Sequence, residues 1–335
     1  MTGVVDHGAV DPRFINLASA ALGATVLSVS DEFFGPRDRL LKDSPPVFRP
    51  GEYDENGKWM DGWETRRRRG PGHDSCVIRL AAGGTIHAVD IDTTHFTGNY
   101  PYAASLEAAQ CAADPDESTA WNELFSSQAL QGNSHHVIPL DSPVAWTHLR
   151  LNIFPDGGIA RLRVYGTPAH LPEPGQDGLI NLASALSGTH IAAWNDAHFG
   201  KPQHLLLPGV GARMEDGWET RRRREPGNDW AILALGHAGM VERVEIDTTQ
   251  FKGNYPDQAS LQAAYLPGMD DAATIPLSLY WTHLLPPQKL GPHRLHRFKK
   301  EIADLGPITH VRFNIFPDGG VNRLRLFGRP VEERG

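Results

Sequence analysis

The same motifs occur twice, in the same order, along the 335-residue chain. Ile15-Asn-Leu-Ala-Ser-Ala20 returns as Ile180 to Ala185, at an offset of 165. Asp61-Gly-Trp-Glu-Thr-Arg-Arg-Arg-Arg69 returns letter for letter as Asp216 to Arg224, at an offset of 155. Asp92-Thr-Thr-His-Phe-Thr-Gly-Asn-Tyr-Pro101 returns, with two changes, as Asp247 to Pro256 at the same offset, and Asn152-Ile-Phe-Pro-Asp-Gly-Gly158 returns as Asn314 to Gly320. The offsets drift only by loop-sized gaps. The unit is far longer than the roughly 20–50 residues of a solenoid repeat, so whole domains have been duplicated. The expected organisation is a tail over 1–14, a first repeat over 15–168, a linker over 169–179, a second repeat over 180–330 and a tail over 331–335. The linker, with Pro172, Pro174, Gly175 and Gly178, has turn and loop chemistry. Any architecture proposed for one repeat must also suit the other.

Within each repeat the apolar period is two. Leu149, Leu151 and Ile153 fall on one strand face, and Val311, Phe313 and Ile315 match them. Arg161-Leu-Arg-Val164 and Arg323-Leu-Arg-Leu326 alternate again, and Pro155-Asp-Gly-Gly158 between two such runs reads as the turn of a β-hairpin. Cys76–Leu80 and Ala231–Leu235 read as buried strands, and Val89–Asp92 and Val244–Asp247 as a further alternating pair. Ser105–Cys111 reads as a short helix. Short strands and abundant turn residues (Gly 34, Pro 26) predict an all-β fold with one β-sandwich per repeat.

Composition removes several classes of function. The net charge of −8 argues against a nucleic-acid or anionic-membrane partner, whose affinity needs clustered positive charge. The longest mildly apolar stretch, Ala18–Val29, is too short for a membrane helix. Met1–Phe14 carries Asp6, His7 and Asp11 and no apolar core, unlike an export signal. Two cysteines, Cys76 and Cys111, exclude a disulfide framework and point to the cytoplasm. No dinucleotide fingerprint, phosphate loop or nucleophile elbow occurs. His135-His136 and His293-Arg-Leu-His296 are candidate metal ligands, but no His-Glu-x-x-His or paired-cysteine zinc spacing is present.

The chemistry is carried by the duplicated polar motifs. In Asp61–Arg69 an acid, Glu64, stands beside four arginines. Guanidinium offers bidentate recognition of a carboxylate, and Glu64 is placed to transfer a proton or to orient an arginine. An extended backbone sends Arg66 and Arg68 to one side and Arg67 and Arg69 to the other. The alternative is a tryptophan anchor, Trp63 or Trp218, followed by a solvated ion-paired segment. In Asp92–Pro101, Asn99 can read a urea or amide group through paired donor and acceptor; Asp92 and Asn99 can equally cap the loop through backbone bonds. Gln250 replaces His95 and Asn228 replaces His73, so both histidines belong to the first repeat alone and the two copies need not be equivalent. Arg150 with Asn152, together with Arg163, and Arg312 with Asn314, together with Arg325, share strand faces that form either an outer polar surface or a wall of a polar cleft.

These motifs resemble those of the allantoicase family over nearly the whole chain, from about Ile15 to Arg329 in both repeats. The resemblance implies two jelly-roll-like sandwiches of galactose-binding type and hydrolysis of allantoate to ureidoglycolate and urea in purine breakdown. Ser75 departs from the pattern: the second repeat has Trp230 there and the family favours an aromatic. Allantoate carries a carboxylate and two ureido arms on one carbon, so a site needs a cation, amide readers and a proton donor for departing urea. Chemistry then assigns carboxylate binding to arginines of Arg66–Arg69 and Arg221–Arg224, among them Arg67, Arg68, Arg222 and Arg223. Ureido contacts go to Asn99, Tyr100, Asn254 and Tyr255. Proton transfer goes to Glu64 or Glu219, with Asp92, His95 and Asp247 as alternatives. No cofactor is firmly expected, and a divalent metal stays open. The expected partners are the small-molecule substrate and further copies of the chain in a homo-oligomer. Ureidoglycolate hydrolysis and a non-enzymatic tandem carbohydrate-binding module are the competing readings, since fold alone does not fix function.

Overall fold

The computed structural model describes residues 10–11 and 13–331; most of the expected N-terminal tail, with Asp6 and His7, and residues 332–335 lie outside the described residues. Two compact units divide near His170 and Leu171. Each holds an 8-stranded antiparallel sheet with the same strand order.

In the first repeat one strand organises everything else. Asp74–Asp92 runs unbroken for 19 residues, so the two apolar runs at Cys76–Leu80 and Val89–Asp92 are parts of a single strand. Its first half pairs with Thr25–Val29 on one edge and Trp146–Phe154 on the other. Its second half pairs with His135–Pro139 and with Arg161–Pro168. Beyond Trp146–Phe154 come Ala103–Ala109 and then Asn122–Ala129; beyond Arg161–Pro168 comes Ile15–Asn16. The two halves of the strand therefore serve two sets of partners, which are the two layers of the sandwich. Asp229–Asp247 does the same in the second repeat, between Ile308–Phe316 and Arg323–Pro330.

The expected hairpin is absent. Trp146–Phe154 and Arg161–Pro168 do not pair with each other, because Asp74–Asp92 lies between them. The Pro155–Gly158 turn, entered through a cis Phe154–Pro155 peptide bond, instead carries the chain from one edge of that strand to the other. The helix expected at Ser105–Cys111 is also absent: Ala103–Ala109 is a strand. Its alanines made it look helical, but Ala104, Leu106 and Ala108 are buried while Ser105 and Glu107 alternate with them, which is the period of a half-buried strand. An α-helix occurs at Asp271–Leu277 in the second repeat, opened by the Asp270 carboxylate accepting from Ala272 N.

The cores follow the alternation. Leu149, Leu151 and Ile153 are fully buried, as are Val311, Phe313 and Ile315. Trp63 and Trp218 are fully buried anchors, each donating its indole N–H to a backbone carbonyl, Asp31 O at 2.8 Å and Asp196 O at 2.9 Å. Among the described residues no helix is long and apolar enough to cross a membrane.

Four histidines, His148, His204, His296 and His310, are held below the usual imidazole range, chiefly by burial. Above the unfolded pKa of about 6.5 both states keep them neutral. Below it the unfolded chain takes up protons that the folded chain resists, so stability is lost as pH falls. The melting temperature should therefore decline between pH 7 and pH 5, more for the second repeat, which holds three of the four. Melting curves recorded across that window check this; a flat profile would contradict it.

Candidate active site

Three motifs distant in sequence meet at one place in each repeat. Trp63–Glu64 forms a two-residue strand paired with Gly158–Ile159, so the Asp61–Arg69 motif is zipped to the end of the Asn152–Gly158 motif. The third motif packs beneath this strand pair. A Cβ at Gly158 would lie 2.0 Å from the Phe96 ring, so only glycine lets the Asp92–Pro101 loop close against it. Gly158 N donates to Asn99 O at 2.7 Å, and Thr65 N donates to Gly157 O at 3.1 Å. The second repeat repeats the construction. Glu219 pairs with Gly320, a Cβ there would lie 2.0 Å from Phe251, and Gly320 N donates to Asn254 O at 2.7 Å.

This convergence brings Asn99 onto Glu64: Nδ2 donates to Oε1 at 2.7 Å across 35 residues of sequence. Asn254 Nδ2 donates to Glu219 Oε1 in the same way. Both glutamates are 8% exposed, enough for contact with a ligand but little for hydration. Burial raises the Glu64 carboxyl above its ordinary range, against the smaller opposing effects of Asn99 and Lys58. A carboxyl so placed keeps its proton to higher pH than an exposed one.

The arginines divide into two pairs, as the alternation predicts. Arg66 is held by Asp31, through its backbone N at 2.6 Å and its Nε and Nη2 at 2.9 and 2.7 Å. Arg68 donates from its backbone N to Asp156 and from Nη2 to Asp74, at 2.8 and 2.7 Å. Arg221 and Arg223 repeat this with Asp196, Asp318 and Asp229. Arg67, Arg69, Arg222 and Arg224 are exposed, and none makes an ion pair among the described residues. The carboxylate partners Asp31, Asp74 and Asp156 were missed by sequence reasoning. Their counterparts Asp196, Asp229 and Asp318 lie at the offsets of the repeated motifs, and that was the available signal.

The other candidates sit in supporting positions. Asp92 is fully buried; its Oδ1 accepts from Thr94 N at 2.8 Å and its Oδ2 from Arg163 at 3.3 Å. Asp247 Oδ1 accepts from Thr249 N at 2.8 Å. Both cap the loops they open. His95 and Gln250 occupy the same left-handed corner, at φ 71° and 77°. Each reaches a backbone carbonyl 3.3 Å away, Pro46 O and Gly211 O respectively. A role shared by histidine and glutamine needs no proton transfer. Tyr100 packs on Met60, Phe96 and Ala160, and Tyr255 is half-buried in the matching position. Arg163 pairs with Asp90 and Asp92, whereas Arg150 and Asn152 both bond Glu107, so these side chains serve different clusters. The candidate metal-binding histidines are hydrogen-bonded: His135 to Asp90, His136 to Ile91 O, His296 to Ile246 O, and His293 to the Gln250 N–H. Among the described residues no group of three or more His, Cys, Asp or Glu side chains is arranged to hold a metal.

A duplicated sandwich that buries a glutamate under an asparagine amide, a few residues along the chain from exposed guanidiniums with no ion-pair partner among the described residues, defines a class of tandem-repeat proteins suited to small polar anions. Within that class the comparisons are specific: a family model of the allantoicase repeat matches residues 15–169 and 180–331. The chain belongs to the allantoicase family. It is 55% identical over 323 residues to a probable allantoicase of Pseudomonas aeruginosa (strain LESB58), covering 95% of this chain and 96% of that one. It is 53% identical over 318 residues to probable allantoicase 2 of Burkholderia pseudomallei (strain K96243), covering 94% and 95%. The crystal structure of allantoicase from Saccharomyces cerevisiae superposes with a TM-score of 0.78 at 30% identity, covering 95% of this chain and 94% of that one.

Proposed function

We infer that this chain hydrolyses allantoate to ureidoglycolate and urea, a step of purine breakdown. The observation that carries the reading is the twofold occurrence of a buried Glu–Asn pair in a chain aligned end to end with allantoicases. Allantoate presents a carboxylate and ureido groups that match the chemistry gathered here.

In the proposed mechanism the carboxylate is held by the unpaired guanidiniums of Arg67 and Arg69, or Arg222 and Arg224. Arg66, Arg68, Arg221 and Arg223, bound to aspartates, fix the extended segment that presents them. The Asn99 and Asn254 amides orient the glutamate carboxyls and read the ureido arm through their remaining donor and acceptor. Glu64 or Glu219 gives its proton to the departing urea nitrogen. The resulting carboxylate then draws a proton from the incoming water, or from the remaining ureido nitrogen as it expels urea. A cytoplasmic setting is in keeping with the small number of cysteines, Cys76 and Cys111. A homo-oligomer completes the reading; exposed Leu279 and Tyr280 in the second repeat offer apolar surface for self-contact.

Purified protein incubated with allantoate should release one equivalent of urea. The R67Q/R222Q double variant should raise KM about tenfold or more with a smaller change in kcat, since each guanidinium contact to a carboxylate is worth roughly 1.5–3 kcal/mol. Urea from ureidoglycolate but not allantoate would favour the alternative substrate. No urea from either would leave the binding-module reading.

A further inference from the structure

The two repeats differ in length just before their shared site. The offset falls from 165 to 155 between the first two repeated motifs, so the second repeat is ten residues shorter there. In the first repeat the longer segment folds into a small hairpin, Tyr53–Asp54 paired with Gly57–Lys58. Asp54 Oδ1 closes its turn, accepting from Asn56 N at 3.0 Å and from Gly57 N at 3.1 Å. The second repeat has no such hairpin among the described residues.

The hairpin is anchored to both halves of the site. A Cβ at Gly57 would lie 3.5 Å from the Phe34 ring, and Phe34 N donates to Glu64 O at 3.2 Å. On the approach to the hairpin, Val47 N donates to Asp61 Oδ2 at 3.1 Å, and the Phe48 ring lies 5.6 Å from that of His95, in the loop that carries Asn99. Lys58 Nζ stands 4.8 Å from the centre of the Phe48 ring. Lys58 is exposed and makes no ion pair among the described residues. Its charge and that of Asp54 act in opposite directions on the Glu64 carboxyl, which puts the hairpin within electrostatic reach of that group. At the offset of 155 Arg213 takes the place of Lys58. Its Nη1 pairs with Glu215 Oε1 at 3.1 Å, where the first repeat has the buried Met60. Met214 Sδ accepts from Asn254 Nδ2 at 3.7 Å. Asn254 therefore uses both amide hydrogens, one on Glu219 and one on Met214. Asn99 gives one to Glu64 Oε1, and its other has no acceptor among the described residues.

The first repeat thus offers an ammonium with no counter-ion and a free amide hydrogen on the residue that holds Glu64. The second offers a paired arginine and a capped amide. We propose that Lys58 binds the substrate carboxylate at the first-repeat site, and that this makes the first repeat the tighter of the two. The ligand is a small ureido acid. Its carboxylate meets the Lys58 ammonium, its ureido carbonyl accepts the free Asn99 hydrogen, and its ureido nitrogen faces Glu64. An ammonium is a point charge with rotatable donors and imposes no planar approach, so Lys58 joins the guanidiniums proposed for the same carboxylate. The inference rests on the allantoate reading for its choice of ligand.

The test uses N-carbamoylglycine, which has one carboxylate and one ureido arm, in calorimetric titrations. The unmodified protein should bind one equivalent per chain more tightly than any second. Lys58→Gln should weaken that equivalent about tenfold or more, the usual worth of a hydrogen bond to a charged group. It should leave unchanged the binding of N-carbamoylglycinamide, which lacks the carboxylate, and the melting temperature, since Lys58 is exposed. Lys58→Arg should recover most of the affinity. Arg213→Gln and Lys252→Gln, in the second repeat, should not alter the tight equivalent. Undiminished binding of the acid in Lys58→Gln, equal loss for acid and amide, two equal sites per chain, or no binding by the unmodified protein each overturns the proposal. Urea release from allantoate tests the activity separately. Release with undiminished binding in Lys58→Gln rejects the role of Lys58 and keeps the enzyme; acid-specific loss in Lys58→Gln without release by the unmodified protein keeps the carboxylate site and rejects the activity.

Discussion

Replacing Glu64 and Glu219 together by glutamine should reduce urea release from allantoate about 10²–10⁴-fold, the usual contribution of a general acid or base. Glutamine keeps the shape and the contact with Asn99 or Asn254 but has no proton to give at neutral pH. The melting temperature should stay close to that of the unmodified protein, because each glutamate bonds only an amide through its side chain. The single variants carry further information. If each repeat works alone, each single variant keeps about half of the rate. If only one glutamate acts, one variant retains full activity and the other falls as far as the double. Full activity in all three removes glutamate from the mechanism. The raised Glu64 carboxyl adds a direction: where the first repeat carries the rate, the alkaline limb of the pH profile should extend above the ordinary carboxylate range.

The second large effect is on stability, and it contrasts two aspartates in identical motifs. Asp61 and Arg161 form a buried pair, Oδ2 to Nη2 at 2.6 Å, with Arg161 fully buried. Burial opposes ionisation of Asp61, but Arg161, the Val47 N–H and Lys42 outweigh it and hold the carboxyl below its usual range. Asp61→Ala strands a buried guanidinium, which costs about 3–5 kcal/mol and should lower the first-repeat transition by roughly 10 °C. Asp216 is its counterpart by sequence, but its carboxylate accepts from the Arg213 N–H, and Arg323 donates to the Asp216 carbonyl. Asp216→Ala therefore loses a cap, worth about 1 kcal/mol. Thermal melts of the two variants decide it; equal shifts would mean that the Asp61–Arg161 pair contributes little.

That contrast shows where sequence reading runs out. Duplication, burial of Trp63 and Trp218, and the alternating faces of Leu149–Ile153 were legible because each is local or literally repeated. The hairpin failed because Pro-Asp-Gly-Gly marks a turn but not the partner of the strand it follows, and Asp74–Asp92 comes from far earlier in the chain. The helix at Ser105–Cys111 failed because alanine suits either structure when a neighbouring strand supplies the packing. In the site, residue types announced an acid, an amide and cations, and the fold joined Glu64 to Asn99. The division of the arginines into held and unpaired sets was half legible: alternation separated them, but the holding aspartates lie outside the conspicuous motif. Identical letters also concealed unlike environments, as Asp61 and Asp216 show.

The 19-residue strand at the centre of each repeat has a mechanical corollary. Since its two halves belong to different layers, each layer is built on a strand that the other layer also holds in place. The amides of Asp74–Asp92 and Asp229–Asp247 should then exchange only through opening of an entire repeat, a zip fastener with a single slider. The duplicated site sits at the end of such a strand, so its placement depends on a segment paired along both edges as well as on the loops that carry its side chains.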